Sequence, residues 1–144
     1  MTTHTRSQIE SQMRAAGLKL TPQRFAVLDY LSRSSAHPTA EQIRIDLNRR
    51  FPRASRATVY NTLNALCRAG FVNAIYLDDA VGRYEAVINS HHHFVCRACG
   101  HIEDVPVEHV RALPQKGLRA NRKVENYEIV MRGICDSCDE RTTD

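Results

Sequence analysis

The chain has 144 residues, of which 42% are hydrophobic and 25% are charged, a composition typical of a folded protein with one or two small domains. No apolar run approaches the roughly 20 residues of a membrane span, and the polar first residues lack the apolar core of a signal peptide. We therefore expect a cytoplasmic protein with no membrane partner. Because cytoplasmic thiols are kept reduced, the five cysteines are interpreted as metal ligands or buried thiols.

The net charge of +4 is unevenly distributed along the chain. Residues 1–70 contain 11 Lys and Arg against 4 Asp and Glu, whereas the remaining residues contain 9 against 12. A basic first half suits a phosphate backbone, and an acidic second half rich in cysteine and histidine suits cations. An unevenly charged, solvated surface would give the same numbers, so charge alone leaves both interpretations open.

The first half is predicted to be rich in helices. Thr21 followed by Pro22 is typical of a helix start, because threonine caps free backbone amides and proline suits the first helical position. Thr39 and Gln42 form a capping box that begins a second helix. The apolar stripes of these helices are expected to comprise Phe25, Leu28 and Leu31 in the first, and Ala40, Ile43, Leu47 and Phe51 in the second.

A third helix is predicted from about Ser55 to Ala69, and Gly70 ends it. Its apolar face carries Val59, Leu63, Leu66 and Cys67, and its opposite face carries Ala57, Asn61, Asn64 and Arg68, with Arg56 and Tyr60 at the flank. The opposite face has no acidic residue, so it fits the major groove of DNA, where Asn pairs with adenine and Arg with guanine or phosphate. An ordinary solvated helix face is the alternative.

Two strands are predicted after the third helix. Residues 71–76 are β-branched and aromatic, residues 78–82 are typical of a turn, and residues 83–87 return as a second strand. Three helices followed by a hairpin predict a winged helix, which favours the DNA-binding interpretation of the third helix.

Two Cys-x-x-Cys pairs are the strongest site signal in the second half. Cys96 with Cys99 and Cys135 with Cys138 have the spacing of a tetrahedral four-cysteine zinc site. Four thiolates leave no open coordination position, so we expect this Zn²⁺ to stabilise the fold and not to catalyse a reaction. Four unrelated reduced cysteines are the alternative. Cys67 lies outside the set and is interpreted as a small core residue.

A histidine run precedes the first cysteine pair. If residues 91–96 form a strand, His91 and His93 share one face and His92 lies on the other. Asp104 is expected on a partner strand. Each of these residues alone is more often a surface group, but together beside a four-cysteine site they favour a second metal site.

Two segments of the first half resemble the ferric uptake regulator (Fur) family. Residues 55–63 resemble its recognition helix, and residues 17–24 resemble its first-helix junction. The most specific part of the resemblance, which spans roughly residues 8–140, is the run of residues 91–100 with the late Cys-x-x-Cys pair. It implies an α+β protein with an N-terminal winged-helix DNA-binding domain, residues 1–88, and a C-terminal α/β dimerisation and metal-binding domain, residues 89–144.

The resemblance also implies the function and its residues. His37 and Glu85 would join His91, His93 and Asp104 around a regulatory ion, and this set suits Fe²⁺ or Mn²⁺ and also accepts Zn²⁺. The DNA contacts would come from Lys19, Arg24, Arg56, Thr58, Tyr60, Asn61 and Asn64. A homodimer would bind double-stranded DNA at a palindromic operator, and the ion would fix the angle between domains about a hinge near residues 88–90. The dimerisation helix expected after Val105 is shortened by Pro114 and Gly117.

Within the family, Asn61 and Asp104 resemble the peroxide-responsive PerR branch, whereas Glu85 stands where peroxide sensors usually carry aspartate. We expect a PerR-like repressor of peroxide-stress or metal-homeostasis genes, and a repressor of iron or other metal uptake without peroxide sensing is the alternative. Ser90, His92 and Tyr127 stand where some members form a third metal site with histidines and a carboxylate.

Two other protein classes are alternatives to a DNA-binding regulator. A zinc hydrolase or deaminase is disfavoured because the sequence lacks the H-E-x-x-H and H-x-E…P-C-x-x-C patterns that supply a general base. We therefore expect no enzyme. A zinc-ribbon interaction module without DNA binding is the other alternative, and salt-dependent binding to a palindromic duplex distinguishes it from a regulator.

Overall fold

The computed structural model describes residues 5–50, 54–76, 81–86, 89–111 and 122–140. The chain divides into an N-terminal unit, residues 1–88, and a C-terminal unit, residues 89–144. Across the described ranges, no helix is long and apolar enough to cross a membrane.

Hydroxyl caps begin the four helices of the N-terminal unit. These helices are α1 (Arg6–Ala15), α2 (Pro22–Arg33), α3 (Ala40–Asn48) and α4 (Arg56–Arg68). The side chains of Thr5, Thr21, Thr39 and Ser55 each accept the N–H of the third helical residue. Such a cap contributes about 1 kcal/mol to helix stability. The three helix starts predicted from the sequence are confirmed.

The predicted count of three helices before the hairpin is wrong, because α1 precedes them. Thr5 and Gln8 form a capping box at its start, and only Ile9 and Met13 are buried along it. Two apolar residues are too few to establish a helical periodicity, so the spacing of apolar residues does not predict this helix. The Thr5–Gln8 capping box is the sequence feature that indicates its start.

The core of the N-terminal unit forms where α1 to α4 pack together. The predicted inward residues Leu28, Leu31, Ala40, Ile43, Leu47, Val59, Leu63 and Leu66 are all buried. Phe25 and Cys67 are partly buried against this core, and burial raises the pKa of the Cys67 thiol. Phe51 lies outside the described residues. Cys67 is therefore the small, core-packed thiol that the sequence predicted.

The hairpin consists of β1 (Val72–Tyr76) and β2 (Gly82–Ala86), which pair antiparallel from Val72 opposite Ala86 to Tyr76 opposite Gly82. Residues 78–80 of the predicted turn lie outside the described ranges. Strand β2 also meets the loop between α2 and α3, because the Tyr84 N–H donates to the Pro38 carbonyl at 3.0 Å. Helices followed by this wing confirm the predicted winged helix.

A three-stranded sheet organises the C-terminal unit. Its strands are β3 (His91–Cys96), β4 (Ile102–Pro106) and β5 (Val130–Gly133), in the order β4-β3-β5. Strand β3 pairs antiparallel with β4 and parallel with β5. A 3-10 turn (Val107–His109) follows β4, and α5 (Asp136–Asp139) follows β5. Residues 112–121, where most of the dimerisation helix was expected, lie outside the described residues.

Gly70 provides a test of how α4 ends. Its φ of +79° is a left-handed conformation that costs residues with a side chain roughly 1–2 kcal/mol. No described heavy atom lies within 4 Å of the place where its Cβ would be, so backbone conformation decides the effect. We expect Gly70→Ala to lower the free energy of unfolding by about 1–2 kcal/mol, and Gly70→Asn to lower it less, because asparagine tolerates this region.

Urea unfolding of the zinc-loaded protein, followed by the helical circular dichroism signal, measures both variants. Equal free energies of unfolding for the wild type and Gly70→Ala would contradict the conclusion that the left-handed backbone at residue 70 disfavours a side chain.

Candidate metal centres and DNA-binding surface

The four predicted zinc ligands form one cluster in the C-terminal unit. The Sγ atoms of Cys96, Cys99, Cys135 and Cys138 all lie within 4.8 Å of one another, and those of Cys99 and Cys135 are 3.7 Å apart. A tetrahedral zinc with Zn–S bonds of about 2.3 Å places its sulfurs about 3.8 Å apart. The cluster therefore has the composition and size of a structural zinc site.

Backbone geometry brings the two cysteine pairs together. Strand β3 ends at Cys96, and a tight turn closed by the Gly100 N–H to the Cys96 carbonyl, at 2.9 Å, follows it. Gly100 adopts a φ of +74°, which glycine tolerates best. The Cys135 N–H then donates to the Cys96 Sγ at 3.3 Å from the end of β5. The turn and the parallel β3–β5 pairing thus position both knuckles.

The cluster also favours a cation. Backbone N–H groups of Cys135 and Cys99 lower the pKa of the Cys96 thiol to about 6, which favours the thiolate. Hydrogen bonds with Cys135 and Cys99 raise the pKa of Cys138 to about 12. Four adjacent sulfurs cannot all carry negative charge without a positive partner, and Zn²⁺ supplies one.

Serine substitution tests the structural role of this cluster. Because the free energy of zinc binding is also folding free energy, Cys96→Ser and Cys138→Ser should each lose zinc together with the folded C-terminal unit and the stable dimer. Metal analysis, thermal unfolding and sedimentation measure these properties. Cys67→Ser is the control, and it should keep the zinc because Cys67 lies in the core of the N-terminal unit. A folded, zinc-free dimer of Cys138→Ser would contradict the assignment.

A second cluster lies on one face of β3 and β4. The Nε2 atoms of His91 and His93 are 3.2 Å apart, and the Asp104 Oδ1 lies 3.5 Å from the first and 3.6 Å from the second. This follows from the register, in which His93 pairs with Asp104 and strand alternation returns His91 to the same face. The predicted arrangement of the two histidines and Asp104 is confirmed.

The other ring nitrogens of these histidines have partners of their own. The His91 Nδ1 lies 2.8 Å from the Asn89 carbonyl, and the His93 Nδ1 lies 2.5 Å from the Glu128 Oε1. Since a carbonyl and a carboxylate only accept, they favour the tautomer with the proton on Nδ1 and the lone pair on Nε2. In that tautomer two lone pairs and one carboxylate converge, which is an arrangement that suits a divalent cation. Glu128 was not predicted, because it comes from an irregular segment 35 residues after His93.

The two predicted ligands of the N-terminal unit also meet. The His37 Nε2 lies 3.3 Å from the Glu85 Oε2, and both side chains are buried. His37 has a φ of +48°, which is rare for a residue other than glycine and marks a candidate functional position. The Asn73 amide donates to the other oxygen of Glu85 at 3.3 Å from the facing position on β1.

Two of the three positions of the possible third metal site, His92 and Tyr127, contact each other. His92 is buried on the opposite face of β3, where its ring stacks on Tyr127 at 5.8 Å. Its Nδ1 accepts the Ile129 N–H at 3.2 Å. Among the described residues, His92 belongs to neither of the two ligand clusters.

The outward face of α4 is open to solvent. Ala57, Asn61, Asn64 and Arg68 are exposed, as the sequence predicted, and Tyr60 is 44% exposed. The Thr58 hydroxyl is 2.9 Å from the Ser55 hydroxyl, and the Arg56 Nε is 3.7 Å from a Glu41 oxygen. Thr58 and Arg56 therefore each have a local partner within the N-terminal unit.

The junction before α2 presents one lysine. Lys19 is exposed, and the Arg24 guanidinium donates to its carbonyl at 2.7 Å. Both residues are predicted DNA contacts, and the Arg24 side chain also stabilises the backbone at Lys19.

Comparison with known proteins identifies the family. A model of the ferric uptake regulator family matches residues 15–132. The chain is also 33% identical over 142 residues to the peroxide operon regulator of Bacillus subtilis, an alignment that covers 98% of each protein. This chain belongs to the ferric uptake regulator family.

Two solved Fur-family structures have a similar fold. The Campylobacter jejuni peroxide stress regulator is 27% identical, with a TM-score of 0.68 over 94% of this chain and 100% of that one. The Pseudomonas aeruginosa ferric uptake regulator, solved with manganese, is 26% identical, with a TM-score of 0.69 over 88% of this chain and 96% of that one. The family and the fold class predicted from the sequence are confirmed.

Proposed function

We propose that this Fur-family chain is a metal-dependent, DNA-binding transcriptional repressor of the PerR-like type, which regulates peroxide-stress or metal-homeostasis genes. The observation that carries the proposal is the convergence of His91, His93 and Asp104 in a chain whose winged helix exposes a face without acidic residues. A repressor acts where the DNA is, which agrees with the cytoplasmic location expected from the sequence.

The DNA-binding part of the proposal rests on α4. Asn61 and Asn64 are exposed amides suited to adenine, and the Tyr60 ring is suited to a thymine methyl. In a two-fold homodimer, two copies of α4 would enter major grooves of a palindromic operator separated by about one helical turn or a multiple of it. Lys19 would contact the backbone or the minor groove beside each half-site.

The regulatory part assigns one divalent ion, Fe²⁺ or Mn²⁺, to five ligands. We infer that His37 and Glu85 join His91, His93 and Asp104, since imidazole and carboxylate donors suit these cations. When bound, the ion supplies a positive charge that all five ligands share. Ligands that come from two units of the chain would select one arrangement of those units, so metal binding and operator binding would favour each other by the same factor.

A catalytic role is not proposed for either metal centre. Four thiolates complete the coordination of the Zn²⁺, and five protein ligands would nearly saturate the regulatory ion. The chain would therefore use its metals to fold and to regulate binding.

Operator binding tests the proposal. A palindromic duplex is first selected in vitro with the Mn²⁺-loaded protein, and its affinity is compared with that of random DNA at several salt concentrations. We expect tight operator binding when Mn²⁺ is bound and weak binding when the regulatory ion is absent. Tyr60→Ala and Asn61→Ala should each reduce the discrimination by about 1–3 kcal/mol, as loss of a base contact does.

Lys19→Ala should weaken binding to both duplexes and reduce the salt slope by about one, because a phosphate contact carries no sequence information. Lys123→Ala, an exposed lysine of the C-terminal unit, is the control and should change neither property. Binding that does not depend on Mn²⁺ would contradict the metal-dependent repressor, and unchanged discrimination in both α4 variants would remove this helix from the groove.

Substitution of Glu85 distinguishes a peroxide sensor from a sensor of metal availability. Glutamate is one methylene longer than the aspartate usual in peroxide sensors, so its carboxylate reaches an ion differently and changes the position open to peroxide. We expect the Fe²⁺-loaded wild type to bind the operator and to lose it slowly in low peroxide. Glu85→Asp should accelerate both this loss and the oxidation of His37 or His91, in which the ring gains one oxygen and water is released.

Mass spectrometry of the two histidine peptides, after anaerobic iron loading and a brief peroxide pulse, measures the oxidation beside a DNA-binding assay. Equally fast oxidation of both proteins would show that Glu85 is no barrier and would support peroxide sensing. No oxidation in either protein would favour the iron-uptake or other metal-uptake repressor.

A further inference from the structure

We propose that Glu128 is a positioning residue for the regulatory ion, because its carboxylate holds the proton of His93 on Nδ1 and so leaves the Nε2 lone pair for the metal. The proposal rests on the function proposed above and adds a sixth residue to its metal centre. Glu128 is not a ligand in this proposal, since it acts through His93.

Geometry separates the two sides of the His93 ring. The Glu128 Oε1 contacts Nδ1, whereas Nε2 lies 3.2 Å from the His91 Nε2 and 3.6 Å from the Asp104 Oδ1. The lone-pair directions of the two ring nitrogens diverge, so a carboxylate that bonds one nitrogen does not occupy the metal side of the other. Glu128 therefore fits the outer position of a carboxylate–histidine–metal arrangement.

The two histidines of the cluster have unequal partners. The His91 Nδ1 bonds the neutral carbonyl of Asn89, whereas the His93 Nδ1 bonds a carboxylate. A carboxylate makes the imidazole a stronger electron donor than a carbonyl does, because its negative charge stabilises positive charge on the ring. We therefore expect His93 to be the stronger of the two ligands, and expect its strength to depend on Glu128.

A purely structural role for Glu128 does not account for this bond. The segment before β5 is already held to β3, because the His93 N–H donates to the Ile129 carbonyl at 3.0 Å and the Ile129 N–H donates to the His92 Nδ1 at 3.2 Å. These bonds do not involve the Glu128 side chain. The Glu128 side chain is 49% exposed, whereas the His93 side chain is 2% exposed, so the carboxylate reaches inward to a buried ring.

The test uses full-length, zinc-loaded protein as the wild type and as Glu128→Ala, Glu128→Gln and Glu125→Ala. Mn²⁺ affinity is measured by competition with a fluorescent chelator, and the His93 tautomer is measured by ¹⁵N NMR without added Mn²⁺. Glu125 is a matched control, because it is an exposed glutamate three residues earlier in the same segment. Circular dichroism verifies that each variant is folded.

We expect Glu128→Ala to bind Mn²⁺ about 10–100-fold more weakly, as other losses of an outer-sphere partner do, and to shift His93 towards the tautomer protonated on Nε2. Glu128→Gln keeps an accepting oxygen without the charge, so it should keep the tautomer and lose less affinity. Glu125→Ala should match the wild type in both measurements.

Wild-type Mn²⁺ affinity and an unchanged His93 tautomer in Glu128→Ala would overturn the role of Glu128 while leaving the repressor proposal intact. An equal loss of Mn²⁺ affinity in Glu125→Ala would also overturn it, because the loss would then follow from removing any negative charge in this segment. By contrast, a wild type that binds no Mn²⁺ would contradict the proposed function itself, whatever tautomer His93 adopts.

Discussion

Strand β3 is the constraint on which both metal centres depend. Its central place in the sheet, between β4 and β5, puts Asp104 opposite His93 on one side and brings Cys135 beside Cys96 on the other. Because side chains alternate along a strand, His91 and His93 lie on the same face. A shift of one residue in either pairing would turn the ligands to the wrong face and separate the cysteine pairs.

The same strand makes folding and metal binding interdependent. Four thiolates need a cation to balance their charge, and the unfolded chain has no assembled cluster to bind that cation, so zinc binding and folding of this unit favour each other. Zinc at Cys96 would hold the end of β3 in place, and the proposed regulatory ligands His91 and His93 lie on the same strand.

In the N-terminal unit, the corresponding constraint is the contact between the α2–α3 loop and the wing. The bond from Tyr84 to Pro38 and the bridge between Thr39 and Arg83 fix this loop against β2. They hold His37 in its left-handed conformation with Glu85 as its neighbour. This arrangement places the two proposed ligands beside the wing that follows α4, so the proposed metal and DNA contacts of this unit would share one small scaffold.

The sequence by itself determined the features that depend on neighbouring residues. Hydroxyl caps at Thr21 and Thr39 located two helix starts, and strand alternation located the shared face of His91 and His93. The spacing of the Cys-x-x-Cys pairs indicated their cluster. Each of these signals is local, because a cap bonds an amide three residues away and a strand repeats every two residues.

Only the tertiary structure decided the contacts that link distant segments. The bond of Glu128 to His93 joins residues 35 positions apart and requires the parallel pairing of β3 with β5. The bond of Asn73 to Glu85 requires the register of the hairpin. Helix α1 is a different case. Its capping box is visible in the sequence, but only two residues of its apolar face are buried, and they are buried by packing against the other helices. A local sequence pattern does not predict such contacts, because they form only when packing brings distant segments together and offsets the conformational entropy lost.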